Sequence, residues 1–226
     1  MTVLRHPVLD QAAAYRLWSA TYDADPNPLL ALEQRVLRER LAVTSATRVL
    51  DLATGTGRWL EYALALGARA FGVDLSPQML AVAARKGMGG RLIHATLSAL
   101  PFPNDFADLA ICSFALGYLP SPEPAFREMA RTSHRVIVSD LHPEAVQAGW
   151  VRSFRAGDLK CRVSSHHHPR PLLYHCAKAA GLRPAWQLEP RFGEPERALF
   201  MQAGKGRAFE AAQQIPAVLI SCWTRP

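Results

Sequence analysis

The stretch RVLDLATGTGRWLEYALALGARAFGVDLSP, residues 48–77, decides the fold of this chain. An apolar run leads into a turn with two glycines, Gly55 and Gly57, and then into a segment with helical spacing. A second apolar run ends in Asp74. Two buried strands joined by a helix form a parallel pair, and glycines in such a turn let a backbone lie against a ligand. The stretch therefore predicts a ligand site at the carboxyl end of the first strand.

The same alternation of apolar runs and helical segments continues along the chain. The predicted strands cover residues 48–52, 68–74, 91–95, 107–114, 134–140, 184–190 and 217–223. Helices are predicted over residues 57–66, 76–85, 123–131, 172–180 and 207–214, and two more lie between Val8 and Leu41, the second capped by Asn27. Strands that alternate with helices indicate an α/β fold with a parallel sheet covered on both faces.

Composition and charge narrow the class of protein. The 226 residues are 49% apolar and 20% charged, which is typical of one globular domain. No apolar run approaches the roughly 18 residues of a membrane span, and the first 18 residues lack the apolar core of a signal peptide. We therefore expect a cytoplasmic protein. The net charge of +7 comes from scattered single residues rather than a basic stripe, so nucleic acid is not the expected partner.

The four cysteines have no CxxC spacing, and Cys112 and Cys222 lie inside apolar runs, which predicts buried thiols rather than disulfides.

The glycine turn does not fit a dinucleotide. A dinucleotide site needs a third glycine where this chain has Leu60, and Asp51 stands where a pyrophosphate would lie and would repel it. An acid at that place suits a ligand with a cationic amino-acid end and no phosphate. These residues point to S-adenosyl-L-methionine as the cofactor.

Several motifs resemble class I S-adenosylmethionine-dependent methyltransferases, in the small-molecule branch typified by quinone-biosynthesis C-methyltransferases. VLDLATGTGRW resembles the family's first motif, FGVDLSPQML the second, and ALPFPNDFADLAICSFALGYL a later one; together they span residues 48–119. The resemblance implies a Rossmann-like, doubly wound seven-stranded sheet, mostly parallel with an antiparallel last strand, with helices on both faces and an N-terminal helical cap. It also implies S-adenosylmethionine-dependent methyl transfer to a small molecule.

The resemblance also implies the residues that hold the cofactor. Asp51, Gly55 and Gly57 would surround its methionine part, Asp74 would hold the ribose, and Leu75 would pack on the adenine. Ser113 and Phe114 would face the methyl group. The full predicted set is Tyr22, Asp51, Ala53, Thr54, Gly55, Gly57, Asp74, Leu75, Met79, Thr96, Leu97, Ser113 and Phe114.

Two positions in that set depart from the family pattern. Thr96 stands where members usually have an acid that binds the adenine amino group, so adenine recognition would shift toward the backbone near Leu97. Ala53 replaces a glycine that many members carry. The glycine-rich turn that normally precedes the fifth core strand is also missing.

Four histidines are candidates for a catalytic base. Oxygen and nitrogen acceptors need a base with a pKa near neutral, which favours His142, His166, His167 or His168. A metal site formed by Cys161, His166, His168 and His175 is the weaker alternative, because their spacing matches no established zinc pattern. We therefore predict no metal. Nearby Arg152, Arg155 and Arg170 either bind an anionic group of the substrate or are solvated charges.

We predict a single domain over residues 1–226. It divides into a helical cap (1–45), a cofactor-binding core (46–141), a candidate lid or substrate segment (142–170) and the C-terminal part of the sheet (171–226). The principal alternative is a domain that binds S-adenosylmethionine without transferring methyl, as a regulator or assembly partner. A nucleic-acid methyltransferase is disfavoured because strand four ends in SFAL and lacks an NPPY-type tetrad. The sequence does not choose between a monomer and a homodimer.

Overall fold

The computed structural model describes residues 7–226. Its strands are β1 (Val8–Leu9), β2 (Arg48–Leu52), β3 (Arg69–Asp74), β4 (Leu92–His94), β5 (Ala107–Ser113), β6 (Ser133–Leu141), β7 (Ser153–Ala156), β8 (Leu159–Val163), β9 (Arg183–Leu188) and β10 (Val218–Thr224). Its helices are α1 (Gln11–Trp18), α2 (Pro28–Arg38), α3 (Arg58–Ala65), α4 (Pro77–Ala83), α5 (Glu123–Thr132), α6 (Pro143–Gln147), α7 (Arg170–Ala179), α8 (Glu194–Gln202) and α9 (Phe209–Ala212).

Seven strands form the main sheet, in the order β4-β3-β2-β5-β6-β10-β9. The first five are mutually parallel, whereas β10 pairs antiparallel with both β6 and β9. The strand order reverses at β2, so the carboxyl ends of β2, β3 and β5 meet at one switch point. The predicted α/β fold, with a mostly parallel sheet and an antiparallel last strand, is confirmed.

Two apolar layers cover the sheet because its central strands are buried on both faces. Four of the five residues in β2 are buried; Val49 belongs to one cluster of core residues, and Leu50 and Leu52 belong to the other. The largest fully buried side chains are Trp59 and Phe126, one in each cluster. Asn27 caps α2 by accepting from the backbone N–H of Leu29, as predicted. All four cysteines are free and buried.

A second sheet of three strands was not predicted. Residues 153–163, inside the candidate lid, form the β7–β8 hairpin, and β1 adds to β8 in parallel. Val8 therefore starts in a strand and not in the predicted helix. Trp18 of α1 stacks on Phe154 of the hairpin with ring centroids 4.9 Å apart, so the N-terminal cap and the hairpin pack together.

The structure also contains α6 and α8, where no helix was predicted, and from residue 48 onward the bounds of the predicted elements differ from the observed ones by at most two residues. Glu196 closes the first turn of α8 by accepting from the backbone N–H of Gly193. Among residues 7–226, no helix is long and apolar enough to cross a membrane.

Candidate functional site

The glycine turn after β2 is joined to the acid that ends β3. The backbone N–H of Gly55 donates to Asp74 Oδ2 at 2.7 Å, and the N–H of Ser76 donates to Asp74 Oδ1 at 2.8 Å. Burial raises the pKa of Asp74 despite these bonds. Each carboxylate oxygen keeps a lone pair for a further donor, so Asp74 can accept from a ligand's hydroxyl groups.

Space for a ligand lies beside this turn. Gly55 has a φ of +57°, and a Cβ added there would meet no heavy atom within 4 Å. Gly57 has a φ of +89°, but a Cβ there would collide with the side chain of Met88. Gly55 therefore borders open space, whereas Gly57 provides the left-handed turn and close packing onto α4 and the segment after it.

Asp51 lies beneath the turn and holds it in place. Its Oδ2 accepts from Thr54 Oγ1 at 2.6 Å and from the backbone N–H of Leu60 at 2.8 Å. Asp51 is only 2% exposed, and burial raises its pKa to about 6, against the lowering effect of those two bonds. Thr54 in turn donates its backbone N–H to Val73 of β3 at 2.8 Å. In this arrangement Asp51 acts on a ligand through the shape of the loop.

The raised pKa of Asp51 predicts a pH dependence of stability. The contribution of this group to the free energy of unfolding is complete below the ordinary pKa of 3.8 and is lost as pH rises through about 6. The loss amounts to ~3 kcal/mol at about 1.4 kcal/mol per pKa unit. Denaturant unfolding of wild type and Asp51→Asn from pH 3.5 to 7 measures it. We expect the variant to show a flatter profile, and parallel profiles would contradict the burial argument.

Two other residues at this edge have left-handed backbone without being glycine. Ala53 has a φ of +56° and Phe114 a φ of +52°. A Cβ in this region costs roughly 1–2 kcal/mol, and such conformations cluster at binding and catalytic sites. A glycine, which the family resemblance implies at position 53, would adopt this backbone at lower cost. Phe114 is fixed by its N–H, which donates to the carbonyl of Ser139 at 2.8 Å.

Four further residues of the predicted cofactor-binding set differ in how exposed they are. Leu75, directly after Asp74, is 55% exposed, an unusual setting for a large apolar side chain beside a turn. Met79 is 1% exposed and lies in the core, and Leu97 is also buried. Thr96 Oγ1 interacts with Ser98 in its own turn, at 3.0 Å from Ser98 Oγ. Of these four, Leu75 presents the open apolar surface.

A buried carboxylate that the sequence analysis missed joins the cap to the sheet. Glu33 of α2 is 0% exposed and accepts from Ser113 Oγ at 2.7 Å, from Ser139 Oγ and from Arg58 Nη2. The indole N–H of Trp59 lies 3.3 Å from the same carboxylate. Glu33 thus connects α2 to the carboxyl ends of β5 and β6. A signal was present, because Glu33 falls in the apolar stripe of α2, four residues after Leu29 and four before Leu37.

Tyr22 lies within reach of this charged group. Burial raises the pKa of its hydroxyl, and the charges of Arg58, Glu33 and Asp74 also act on it. The ring of Tyr22 lies 4.8 Å from that of Trp18, so an aromatic cluster extends from the cap. The members of this cluster are Tyr15, Trp18, Tyr22, Tyr118 and Phe154. Tyr22 therefore lies where the cap meets the carboxyl edge of the sheet.

The segment that carries Tyr22 is attached to the glycine turn. Asp23 accepts from Thr56 Oγ1 at 2.6 Å and pairs with Lys86 at 2.5 Å, while Lys86 also donates to the carbonyl of Thr56. A cleft of about 740 Å³ opens beside these contacts, lined by Tyr22, Thr56 and Arg58 among others. The cleft reaches the glycine turn at Thr56, whereas Gly55 and Asp74 do not line it.

The candidate histidines all have structural partners or surface positions. His142 is buried, accepts from the N–H of Glu144 with Nδ1, and lies 3.1 Å from Glu189 Oε2 through Nε2. His168 Nε2 contacts the carbonyls of Leu116 and Leu119 at 3.1 and 2.9 Å. His166 and His167 are exposed and, with His168, border a small cavity of about 30 Å³. These contacts hold His142 and His168 in place, and they leave His166 and His167 at the surface.

Of the three arginines considered near the hairpin, Arg152 and Arg170 form ion pairs and Arg155 is exposed. Arg152 pairs with Asp140 at the end of β6 and lies 4.7 Å from the centre of the Tyr118 ring. Arg170 pairs with Glu189 at 2.7 Å, and Arg155 is exposed. Within residues 7–226, no three His, Cys, Asp or Glu side chains come together as a metal site. The four residues weighed as metal ligands are therefore not assembled into one.

Comparisons with known proteins agree with this geometry. Residues 50–136 match a family model described as a methyltransferase domain. Demethylmenaquinone methyltransferases of Thermus thermophilus and Clavibacter sepedonicus are 37% and 34% identical to this chain over 108 and 134 residues. These alignments cover 42% and 54% of this chain and 48% and 54% of the relatives, so the chain spans about half the length of the relatives it matches.

Solved structures share the fold at lower identity. An S-adenosylmethionine-dependent methyltransferase from Mesorhizobium loti is 24% identical, with a TM-score of 0.68 over 88% of this chain and 100% of that one. The switch-point turn and the acid that ends β3 both lie within residues 50–136. The chain therefore has the fold of class I S-adenosylmethionine-dependent methyltransferases, and residues 50–136 resemble methyltransferase domains, including those of demethylmenaquinone methyltransferases.

Proposed function

We propose that this chain binds S-adenosyl-L-methionine and transfers its methyl group to a small-molecule acceptor. The observation that carries the proposal is the link between Gly55 and Asp74, with open space beside the glycine and exposed Leu75 next to the acid. A carboxylate with free lone pairs suits a ribose diol, and the exposed leucine suits the face of an adenine. The methyltransferase-domain match over residues 50–136 supports the same ligand.

The role proposed for these residues is to bind and orient. When bound, the cofactor would supply a methyl group on its sulfonium for in-line displacement by the acceptor. The protein would raise the rate by holding donor and acceptor in near-attack geometry. Asp51 and Gly57 keep the turn in its shape, and Asp74 fixes the ribose. Ser113 and Phe114 end β5 at the switch point, where the acceptor would meet the methyl group.

For the acceptor, we propose a planar, largely apolar small molecule. Tyr15, Trp18 and Tyr22 of the cap pack together with Tyr118 and Phe154 at the edge of the site. Aromatic rings favour a flat ligand through stacking and edge-to-face contacts. The names of the demethylmenaquinone methyltransferase relatives agree with such an acceptor. The cytoplasmic location stays a prediction of the sequence.

Two measurements test the function. Calorimetric titration with S-adenosylmethionine and S-adenosylhomocysteine should give dissociation constants in the micromolar range. Transfer of labelled methyl from S-adenosylmethionine to a panel of hydroquinones, phenols, amines and thiols should then give product with at least one aromatic acceptor. Absence of binding would contradict the proposal. Binding without transfer to any of the panel would favour the alternative of a cofactor-binding regulator.

A histidine base is also proposed for the case of an oxygen or nitrogen acceptor. If one of His142, His166, His167 and His168 acts as the base, its replacement by alanine should lower kcat about 100-fold or more. The affinity of that variant for S-adenosylhomocysteine should stay unchanged. Single-turnover rates and calorimetry measure the two effects. For His142, Asn is the control, since its side chain keeps an acceptor for the N–H of Glu144. Unchanged turnover in all four alanine variants would exclude a histidine base.

A further inference from the structure

The β1–β8–β7 sheet has one buried face and one open face. On the buried face, Phe154, Cys161 and Val163 pack against the cap helix α1. Successive side chains of a strand point to opposite faces, so the residues between them point away from the cap. The register of the three strands brings these outward side chains together. They form a surface that we call the basic face, which consists of Val8, Ser153, Arg155, Lys160 and Arg162.

Three cations of the basic face lie close together without a counter-charge. Arg155 and Lys160 stand directly opposite one another across the hairpin, and Arg162 follows on the same side of β8. Like charges directly opposite one another destabilise a sheet. None of the three makes an ion pair within residues 7–226. The one acid of the hairpin, Asp158, lies in its turn. Stability therefore does not explain why these cations share a face.

A fourth cation comes from another part of the chain. Desolvation and the positive charges of Lys160 and Arg155 lower the pKa of Lys205, which lies between α8 and α9. A Cβ added to Gly206 would collide with the side chain of Met201, so this exposed apolar side chain lies close to Lys205. The cationic surface therefore extends from the hairpin to the segment after α8, and an apolar side chain borders it there.

Exposed apolar side chains also accompany the cations on the small sheet. Val8 is 62% exposed on the basic face itself, and Leu159 is 52% exposed beside the turn of the hairpin. Cations with apolar neighbours match the surface of a bilayer with anionic headgroups, where long basic side chains reach the phosphates and apolar side chains enter the acyl boundary. A nucleic acid would instead favour aromatic side chains for base stacking, and the five residues of the basic face include none.

We propose that the basic face docks on a membrane surface that carries anionic phospholipids. The three cations of the face lie at the phosphate groups, with Val8 and Leu159 at the edge of the hydrocarbon. The docking goes beyond the proposed function and needs no bound cofactor. The opposite face of the same hairpin packs through Phe154 on the aromatic cluster of the cap, so a docked hairpin would bring that cluster next to the bilayer. Delivery of an apolar acceptor by this route rests on the proposed function.

Co-sedimentation with lipid vesicles tests the docking. Vesicles of phosphatidylcholine alone, and of phosphatidylcholine mixed with an equal share of phosphatidylglycerol, differ in headgroup charge. Wild type should partition about 25-fold or more in favour of the anionic vesicles, since each cation near such a surface contributes about fivefold. In about 0.5 M salt, which screens the charges, this preference should disappear. Arg155→Gln/Lys160→Gln should lose about 25-fold of the partitioning without loss of folding, because it removes charges that repel one another.

A matched variant at the other end of the molecule controls for total charge. Lys178 and Arg183 are exposed and lie where α7 ends and β9 begins, at the amino ends of the parallel strands. Lys178→Gln/Arg183→Gln should bind the anionic vesicles within about twofold of wild type, because charges beyond a Debye length are screened. Equal losses in the two double variants, or wild type with no preference for anionic vesicles, would overturn the proposal.

Two further measurements separate this proposal from its neighbours. Wild type that binds a DNA duplex but neither kind of vesicle would assign the basic face to nucleic acid and overturn the docking. Calorimetric titration with S-adenosylhomocysteine should give the same dissociation constant for wild type and both double variants. The vesicle assay contains no cofactor, so a failure of the proposed function leaves its outcome unchanged.

Discussion

Alanine in place of Glu33 should lower the free energy of unfolding by about 3–5 kcal/mol, the cost of breaking a buried ion pair from one side. The substitution leaves the Arg58 guanidinium, whose side chain is only 22% exposed, without its carboxylate. It also removes the acceptor of Ser113 and Ser139 at the ends of two strands. Denaturant unfolding followed by far-ultraviolet circular dichroism measures the change. Attachment of α2 to the sheet depends on this one side chain more than on any charge at the surface.

Glu196 offers a matched control for that prediction. It is equally buried and is also bound by an arginine, but Arg35 is 43% exposed and can be hydrated when the carboxylate is lost. Glu196→Ala should therefore cost only about 1–2 kcal/mol, the value of a lost helix cap and a partly exposed pair. The double variant Glu33→Ala/Arg58→Met should recover part of the loss, because no unpaired charge remains. Equal losses in the two single variants would contradict the argument from buried charge.

The central strands were predictable because a strand that is buried on both faces has apolar residues at consecutive positions, which appear in the sequence as short apolar runs. β2, β3, β5 and β6 lie within two residues of their predicted bounds, and the positions of Asp51 and Asp74 at strand ends followed from them. The antiparallel β10 came from family resemblance, since an apolar run does not disclose strand direction. Fold class therefore needed only local patterns together with the rules for parallel sheets.

The β7–β8 hairpin was missed although its signal was present. Phe154, Ala156, Leu159, Cys161 and Val163 alternate with polar residues on both sides of a Gly-Asp turn, the pattern of a two-residue hairpin. The three nearby histidines and several arginines made the segment resemble a polar loop. Three of those five side chains are buried against the cap, which explains why the alternation exists.

Contacts across the site could not be predicted in the same way. The bonds of Glu33 join residues 25, 80 and 106 positions apart in the chain, so only the folded topology brings them together. Arg58 directly follows the glycine motif in the sequence. The absence of a hydrogen-bond partner for its Nη1 among residues 7–226, however, results from how Arg58 packs against Glu33 and Ser113 in the folded protein. Sequence patterns predict which backbone forms the site, and packing decides which side chains face a ligand.

Asp74→Ala should weaken the binding of S-adenosylhomocysteine by about 100-fold or more, as expected when a carboxylate that accepts two hydroxyl groups is lost. The same change frees the N–H groups of Gly55 and Ser76, which loosens the turn as well. Calorimetric titration measures the loss. Asp74→Asn keeps one acceptor oxygen, so its affinity for S-adenosylhomocysteine should lie between those of wild type and Asp74→Ala.

A carboxylate at the opposite end of the sheet supplies the comparison that makes this loss specific. Asp108 at the start of β5 also accepts a backbone N–H, that of Arg48 at 2.7 Å, but it lies away from the carboxyl ends that form the switch point. Asp108→Ala should therefore bind S-adenosylhomocysteine within about twofold of wild type, in the range of surface substitutions. If Asp74→Ala bound as tightly as Asp108→Ala, the ribose would have to be held elsewhere. The link between Gly55 and Asp74 would then serve only to close the turn, because its remaining lone pairs would have no ligand.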